Sequence, residues 1–336
     1  MGKMKEVGVI VSVIVVARNE EKNIAACLDS LVSQDYPREN YEIIAVDGGS
    51  TDCTQEIVKR YPVRLIVADR AVIGYQRNIG AANAKGKYIA FTDADCVADR
   101  QWLSKLVQSI EGSGTDVVAV GGPNLVFESD PDFARIIGHM QRTFLGSGGS
   151  PQSYNISSPK YVYSIPNCNI AYVAEVLREE KYDNRLGVGD DGDINYRLSR
   201  KGYKFIYLPD AMVWHHRPAS LKTFVKKMFL YGEAMGRLTR KNRGIVRWYA
   251  FAPMVAVLGI VVAYPFIVFV PGGIYVYISV AAIYAIGVFA ATAQVARRLK
   301  SARSLETLFL LPTQHMSYGI GLFKGIILPR LSRENP

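Results

Sequence analysis

The 336-residue sequence predicts an α/β fold built on a mostly parallel sheet and followed by an α-helical membrane region, and three observations carry that prediction. Short β-branched and aromatic runs alternate with helical apolar patterns through the first third of the chain, the signature of strand–helix–strand units. The polar clusters there, Arg18-Asn19, Asp47 and Asp93/Asp95, each stand where an apolar run ends. Charge is also divided: residues 1–216 carry 24 Lys/Arg against 27 Asp/Glu, whereas 217–336 carry 16 against 3, so the whole excess of +10 lies in the C-terminal part.

The elements follow in order. Residues 7–16 form an almost unbroken apolar run leading straight into Arg18-Asn19-Glu20 with no cleavage pattern, so they read as a buried first strand and not as a signal peptide. Ile24, Cys27, Leu28, Leu31 and Val32 mark one face of a helix that Tyr36-Pro37 closes. Tyr41 to Val46 is a second strand ending in the loop Asp47 to Asp52. A helix over about Thr54 to Arg60, a strand Arg64 to Val67, a loop at Gly74 and a helix Gln76 to Ala84 lead to the strand Lys87 to Thr92. Beyond Asp116 come a strand Val117 to Gly121 and a Gly/Ser/Tyr-rich stretch, Gly146 to Ser158, long enough to be a flap over a site. The acidic turn Gly189 to Asp193 opens an amphipathic helix through Arg197 and Ser199. A strand Phe205 to Pro209 and the segment Val213 to Arg217 close the domain.

Ligands of such sheets bind at the carboxyl ends of the strands, where the polar clusters fall. Asp93 and Asp95, at i and i+2, leave their strand on the same side and can together face a divalent cation and a nucleotide diphosphate, although acidic pairs at strand ends also serve as solvated turn residues. Cys27, Cys53, Cys96 and Cys168 are scattered without a CxxC pair, which suits a reduced cytosolic domain and not a disulfide framework or a zinc site.

The C-terminal part reads as membrane-associated. Tyr249 to Val270 and Ile274 to Ala296 carry no charge, are each long enough to cross a bilayer, and are joined by Pro271-Gly272-Gly273. Basic residues precede the first (Arg237, Arg240, Lys241, Arg243, Arg247) and follow the second (Arg297, Arg298, Lys300, Arg303), so the positive-inside rule puts both flanks and the N-terminal domain in the cytoplasm. Ser220 to Trp248 has the pattern of a basic amphipathic helix on an anionic membrane. A nucleic-acid reading lacks support, because the aromatic residues there lie within an apolar face and not on a polar platform. Leu305 to Leu328, interrupted by Pro312, Gln314, His315 and Lys324, reads as re-entrant or interfacial.

Five ordered motifs over Val9 to Pro218 resemble glycosyltransferase family 2, inverting enzymes with the GT-A fold. They are Ser12 to Glu20, with its Asn19-Glu20; Val46-Asp47-Gly48-Gly49-Ser50-Thr51-Asp52; Gln76-Arg77-Asn78-Ile79-Gly80; Asp93-Ala94-Asp95; and Gly189-Asp190-Asp191-Gly192-Asp193-Ile194 with Arg197. The resemblance implies donor contacts from Arg18, Asn19, Asp47, Arg77 and Asp93. It implies a divalent cation, Mn²⁺ or Mg²⁺, on Asp95 and His215, and Asp191 as the general base. Asp190 stands where the family has Glu, one methylene longer, and with Asn167 and Asn169 it falls on the acceptor side. Asp193 reads as restraining Arg197. The Gln-x-x-Arg-Trp element of processive synthases is incomplete, since Gly244 replaces its Gln ahead of Arg247-Trp248, which implies addition of a single sugar.

The resulting expectation is a GT-A catalytic domain over 1–218, an interfacial helix over 219–248, a transmembrane hairpin over 249–296, and a third apolar segment with a basic terminus over 297–336. The protein would sit in the plasma membrane among its lipids and transfer a sugar from a nucleotide-diphosphate-sugar donor to a lipid-linked saccharide acceptor. Alternatives are transfer to polyprenyl phosphate itself and a non-catalytic nucleotide-sugar-binding assembly subunit.

Overall fold

The first strand, β1 (Val11–Ala17), is buried at all seven positions because its side chains feed cores on both faces of a sheet. Val13 and Val15 join one core, together with Ile43, Ala45 and Ala90 of the neighbouring strands; Ile14 joins the other, with Ile44, Val46, Ile89 and Phe91. That period of two on a doubly covered strand is why the runs are continuously apolar. The computed structural model describes residues 9–151, 156–242, 244–245, 251, 255, 259 and 269–328.

The described residues divide into two compact units, 9–125 with 156–215, and 126–151 with those from 216 to 328. In the first, β1, β2 (Tyr41–Asp47), β3 (Arg64–Val67), β4 (Tyr88–Asp93), β5 (Cys96–Ala98), β6 (Val117–Gly121), β7 (Asn124–Leu125), β8 (Lys160–Val162), β9 (Ile170–Val173), β10 (Lys204–Tyr207) and β11 (Val213–His215) form two sheets. The larger has the order β3-β2-β1-β4-β9-β6-β10-β8, with β8 and β9 antiparallel to their neighbours; the smaller is β5-β11-β7. Helices α1 (Ile24–Val32), α2 (Thr54–Val58), α3 (Ile73–Asn83) and α4 (Trp102–Glu111) connect the early strands. The loop expected at Gly74 is the first turn of α3. A Cβ on Gly74 would lie 2.6 Å from the Asp183 carbonyl oxygen, so this glycine serves a close approach and not a break.

The second unit begins with α5 (Asp132–Gln141) and α6 (Phe144–Ser147). In the first unit, α7 (Ala174–Glu180) and α8 (Asp190–Arg200) follow, and the second unit resumes with α9 (Leu221–Lys241), α10 (Gly273–Leu299) and α11 (Thr307–Ile327). Residues 152–155 of the proposed flap, and most of the apolar segment 249–270, lie outside the described residues, as does Arg247-Trp248. Among the described residues, α10 is the one helix long and apolar enough to cross a membrane. Its C-terminal half packs Val288, Ala291, Val295 and Leu299 against α5, α9 and α11, whereas Tyr275, Ile283 and Ile286 are exposed.

The third apolar segment runs as one continuous helix, Pro312 included. The polar residues that looked like interruptions are ties within its own unit: Gln314 Nε2 donates to the Gly146 carbonyl at 2.7 Å, and His315 lies 2.9 Å from the Leu145 carbonyl and 2.8 Å from the Tyr284 hydroxyl. Part of the apolar face of α9 is likewise taken up inside the unit, with Phe224 and Met228 buried, while Leu221 and Tyr231 stay exposed.

Candidate active site

Parallel pairing brings the sequence motifs to one edge of the first unit. Val16 of β1 is in register with Asp93 of β4, and Ala17 with Asp47 of β2, so the two aspartates flank the end of β1, roughly 10 Å apart for three adjacent strands. Gly80 sets α3 against this strand, since a Cβ there would lie 2.7 Å from an Ile14 methyl.

Asp47 anchors its loop. Its Oδ1 accepts from Gly49 N (3.0 Å), Ser50 N (2.9 Å) and Gln55 Nε2 (2.7 Å), and its Oδ2 from the Ser50 hydroxyl. Asn19, in a left-handed conformation (φ 56°), accepts from Thr51 N at 2.8 Å and donates its backbone N–H to Ser50 Oγ, also at 2.8 Å. The two loops are therefore one rigid rim, at which Arg18 is exposed.

Asp93 ends β4 and Asp95 occupies the turn into β5. Across the small sheet, His215 pairs with Cys96, and its Nε2 lies 3.2 Å from Asp95 Oδ2. Ligand atoms of Asp93, Asp95 and His215 all lie within 4.8 Å of one another. Two carboxylates and one imidazole around a point open to solvent form a donor set that fits a hard divalent cation.

On the other side of Asp93 stands Arg77, only 5% exposed. One guanidinium nitrogen bonds Asp93 Oδ1 at 3.1 Å, and another is in contact with Asp190 Oδ2. Burial would push the Arg77 pKa down, but the two carboxylates outweigh it and hold the charge firmly in place. Sequence resemblance put this arginine against the base or diphosphate of a donor; in the fold it links Asp93, at the end of β4, to Asp190 of the acidic turn.

That turn opens α8 from Gly189, which adopts a left-handed conformation (φ 81°). The carboxylates of Asp190, Asp191 and Asp193 sit in the first turn, where the helix dipole favours them. Asp193 is fully buried and pairs with Arg197 Nε at 2.9 Å, the restraining role expected of it. Asp191 accepts from Gly192 N at 2.7 Å, and burial, then the neighbouring Asp190 charge, raise its pKa to about 6. Asp93 is raised to about 6 as well, chiefly by burial, although 29% of its side chain remains accessible.

Asn167 adjoins this turn. Its Nδ2 lies 3.5 Å from Asp190 Oδ2, and its Oδ1 faces the hydroxyls of Tyr172 (3.1 Å) and Tyr182 (3.2 Å). Asn169 points elsewhere: it is 0% exposed, its Nδ2 donates to the carbonyls of Pro123 and Ala211, and its Oδ1 accepts from Trp102 Nε1. No atom of that amide is accessible to a sugar hydroxyl, which corrects the expectation that it contacts acceptor. His216 lies in the second unit, 2.5 Å from Asp130 and stacked on Phe127.

Sequence reasoning missed Tyr172, Tyr182 and Asn195. The Tyr172 hydroxyl also lies 2.7 Å from Asn195 Oδ1, and burial pushes both phenols up, so they stay protonated and support Asn167. Tyr172 sits inside an apolar strand run, and only the tertiary contacts reveal it.

Residues 12–161 match the profile of Glycosyl transferase family 2. A dolichyl N-acetyl-alpha-D-glucosaminyl phosphate 3-beta-D-2,3-diacetamido-2,3-dideoxy-beta-D-glucuronosyltransferase of Methanococcus voltae is 26% identical over 94% of this chain and 97% of its own. Glycosyltransferase AglE of Haloferax volcanii is 29% identical over 66% of this chain and 72% of its own. Among solved structures, the mannosyltransferase PcManGT of Pyrobaculum calidifontis, in complex with GDP-Man and Mn²⁺, superposes with a TM-score of 0.57 at 19% identity, over 94% of this chain and 87% of that one. With this profile match over residues 12–161, these relatives and this sheet order, the chain is similar to glycosyltransferase family 2, has the GT-A fold, and is a glycosyltransferase.

Proposed function

We propose that the protein is a membrane-attached, divalent-cation-dependent inverting transferase that moves one sugar from a nucleotide diphosphate to a lipid-linked saccharide. The observation that carries this reading is the separation of two carboxylate centres, Asp93/Asp95/His215 and Asp190/Asp191, with Arg77 between them. Asp191 takes the acceptor hydroxyl proton as that oxygen attacks the anomeric carbon and the bond to the diphosphate breaks, and a carboxylate raised to about 6 is a stronger base than an ordinary one while still largely ionised at neutral pH. A divalent cation held by Asp93, Asp95 and His215, Mn²⁺ or Mg²⁺, would supply charge neutralisation for the departing diphosphate. Arg77 pairs with Asp190 and Asp93 and holds them in place, and Asn167, held by the two tyrosines, orients the acceptor side of the turn. Asp47, Asn19 and Arg18 form the rim for the nucleotide.

The lipid-linked acceptor is supported by the Methanococcus voltae relative, whose name specifies a dolichyl-phosphate-linked sugar, and by the exposed apolar half of α10. The second unit also carries a groove whose walls are Leu221, Val225, Phe229 and Ile320, with Lys222 and Lys226 beside them, a combination suited to an apolar chain bearing phosphate. The cytoplasmic orientation and the plasma membrane rest on the basic flanks of the apolar segments.

The test is sugar transfer by the purified protein in lipid, across UDP- and GDP-sugars with Mn²⁺ or Mg²⁺, for wild type, Asp191→Asn and Asp95→Ala. Turnover of one donor, lowered at least 10²-fold by each substitution, is expected. Transfer to polyprenyl phosphate itself would replace the saccharide acceptor, and donor binding with no lipid ever modified would favour an assembly subunit.

A further inference from the structure

Cys96 and Cys168 are 72 positions apart, read from the sequence as unrelated, and the fold puts both beside His215. Cys96 lies on β5 directly across from His215 on β11, so the two side chains share a sheet face. Cys168 comes from the turn Asn167–Asn169, is 4% exposed, and has its sulfur 3.3 Å from Asn124 Nδ2. The two sulfurs and a ring nitrogen of His215 all lie within 4.8 Å of one another. Asp95 completes the group, its Oδ1 3.9 Å from Cys96 Sγ and its Oδ2 3.2 Å from His215 Nε2.

A tetrahedral zinc site with metal–sulfur bonds near 2.3 Å and metal–nitrogen bonds near 2.0 Å spaces adjacent ligand atoms roughly 3.5–3.8 Å apart, so the two sulfurs and the ring nitrogen need shift by no more than about 1 Å to close around an ion. Two thiols and an imidazole are a poor set for Mg²⁺ or Mn²⁺ and a good one for a thiophilic cation. We propose that Cys96, Cys168 and His215, with Asp95, form a second metal site selective for thiophilic divalent cations of the Zn²⁺ class, which shares His215 and Asp95 with the carboxylate site and is therefore mutually exclusive with it. Binding releases the two thiol protons to solvent as the sulfurs ligate and requires no oxidant. Zn²⁺ would thus inhibit by withdrawing two ligands from the hard cation, not by displacing donor. This second half rests on the proposed role of Asp95 and His215; the binding itself does not.

Cobalt titration of the metal-stripped, full-length protein in detergent reads the binding directly. Wild type should develop the near-ultraviolet sulfur-to-cobalt charge-transfer band and the visible bands of tetrahedral Co²⁺, lost on addition of Zn²⁺ and unaffected by Mg²⁺. Cys96→Ser and Cys168→Ser should each weaken Co²⁺ binding by about tenfold or more and abolish part of the band. Absence of the band in wild type, or a band unchanged in both variants and so attributable to the exposed Cys53, would overturn the site. Should the serine variants fail to fold, zinc-edge X-ray absorption on wild type decides: two sulfur scatterers are expected, and nitrogen and oxygen scatterers alone refute it. Inhibition of transfer by Zn²⁺ relieved by excess Mn²⁺ supports the exclusive sharing, and zinc binding that leaves Mn²⁺ affinity unchanged refutes that part.

Discussion

Arg77 is the side chain on which the site's charge balance turns. It is buried between Asp93 and Asp190, so Arg77→Ala leaves two carboxylates without their counter-charge and should cost about 3–5 kcal/mol. Arg77→Lys keeps the charge but loses the fork that reaches both partners, and should fall between. Chemical denaturation measures this, and a loss under about 1 kcal/mol for the alanine variant would contradict the bridging role. Asp191 carries the opposite sign. Its folded pKa, about 6, lies above the ordinary 3.8, so ionising it in place opposes folding: the associated stability is full at low pH and is lost as pH rises through about 6. Asp191→Asn should therefore raise stability at pH 8 by on the order of 2 kcal/mol, leave it little changed at pH 4, and abolish transfer. Wild-type kcat/KM should fall below pH about 6, with the limb persisting at saturating cation, where protonation of Asp93 is outcompeted. A flat profile down to pH 5 would remove Asp191 from the role of base.

At the scale of elements, α9 and α11 pack backbone against backbone. Gly232 and Gly236 on one helix meet Gly321 and Gly325 on the other, and a Cβ on Gly232 would come 2.0 Å from the Tyr318 carbonyl oxygen, one on Gly321 2.1 Å from that of Phe229. Small residues four apart on both helices let the backbones touch, a device of helix pairs that lack water to drive them together. Beside the contact, Glu233 is bonded by Arg237 and lies 3.3 Å from Lys324 Nζ, so an acid inside an otherwise apolar seam is paired from both helices. Gly232→Val has nowhere to put its side chain except by separating the helices. A fall in melting temperature in detergent of several degrees is expected, with Phe309→Ala, exposed on α11 more than two turns from Tyr318, as the neutral comparison. An unchanged melting temperature for Gly232→Val would mean the helices do not pack this closely.

For the whole molecule, the decisive feature is the contrast between a unit that buries its apolar surface on both sides of a sheet and a unit that leaves Tyr275, Ile283 and Ile286 exposed on α10. Exposed apolar side chains on a helix long enough to cross a membrane fit membrane association. Two outcomes follow for the protein in membranes. It should resist carbonate extraction, and removal of residues 249–299 should release it. Cys53, exposed on the first unit, should react with an impermeant maleimide in inside-out vesicles and not in intact cells. Labelling in intact cells would place the first unit on the other side of the membrane. Chelation should stop transfer, and Mn²⁺ or Mg²⁺ should restore it.

Local chemistry made much of this legible in the chain. The strands β1, β2, β4 and β6 are short runs rich in β-branched and other apolar residues, the motifs stand at their ends, and the apolar segment around α10 is long and uncharged between basic flanks, so the sheet class, the strand ends that carry the motifs and a long apolar helix follow from local patterns. What lay beyond sequence was decided by contacts between residues distant in the chain. Gly74 looked like a loop because its neighbour across the fold, Asp183, is 109 positions away. Gln314 and His315 looked like breaks because their partners, Gly146, Leu145 and Tyr284, are remote. Asn169 resembled an acceptor contact until Trp102, Pro123 and Ala211 claimed its amide. The bridging of Asp93 to Asp190 by Arg77, and the meeting of Cys96, Cys168 and His215, belong to the same class. The sequence by itself determined the early strands and helices and the motifs at their ends, because hydrophobic period and turn chemistry act over neighbouring residues. Only the tertiary structure decided which polar side chains face one another, because a buried hydrogen bond or ion pair is satisfied by whatever the fold brings within about 3 Å, regardless of separation along the chain.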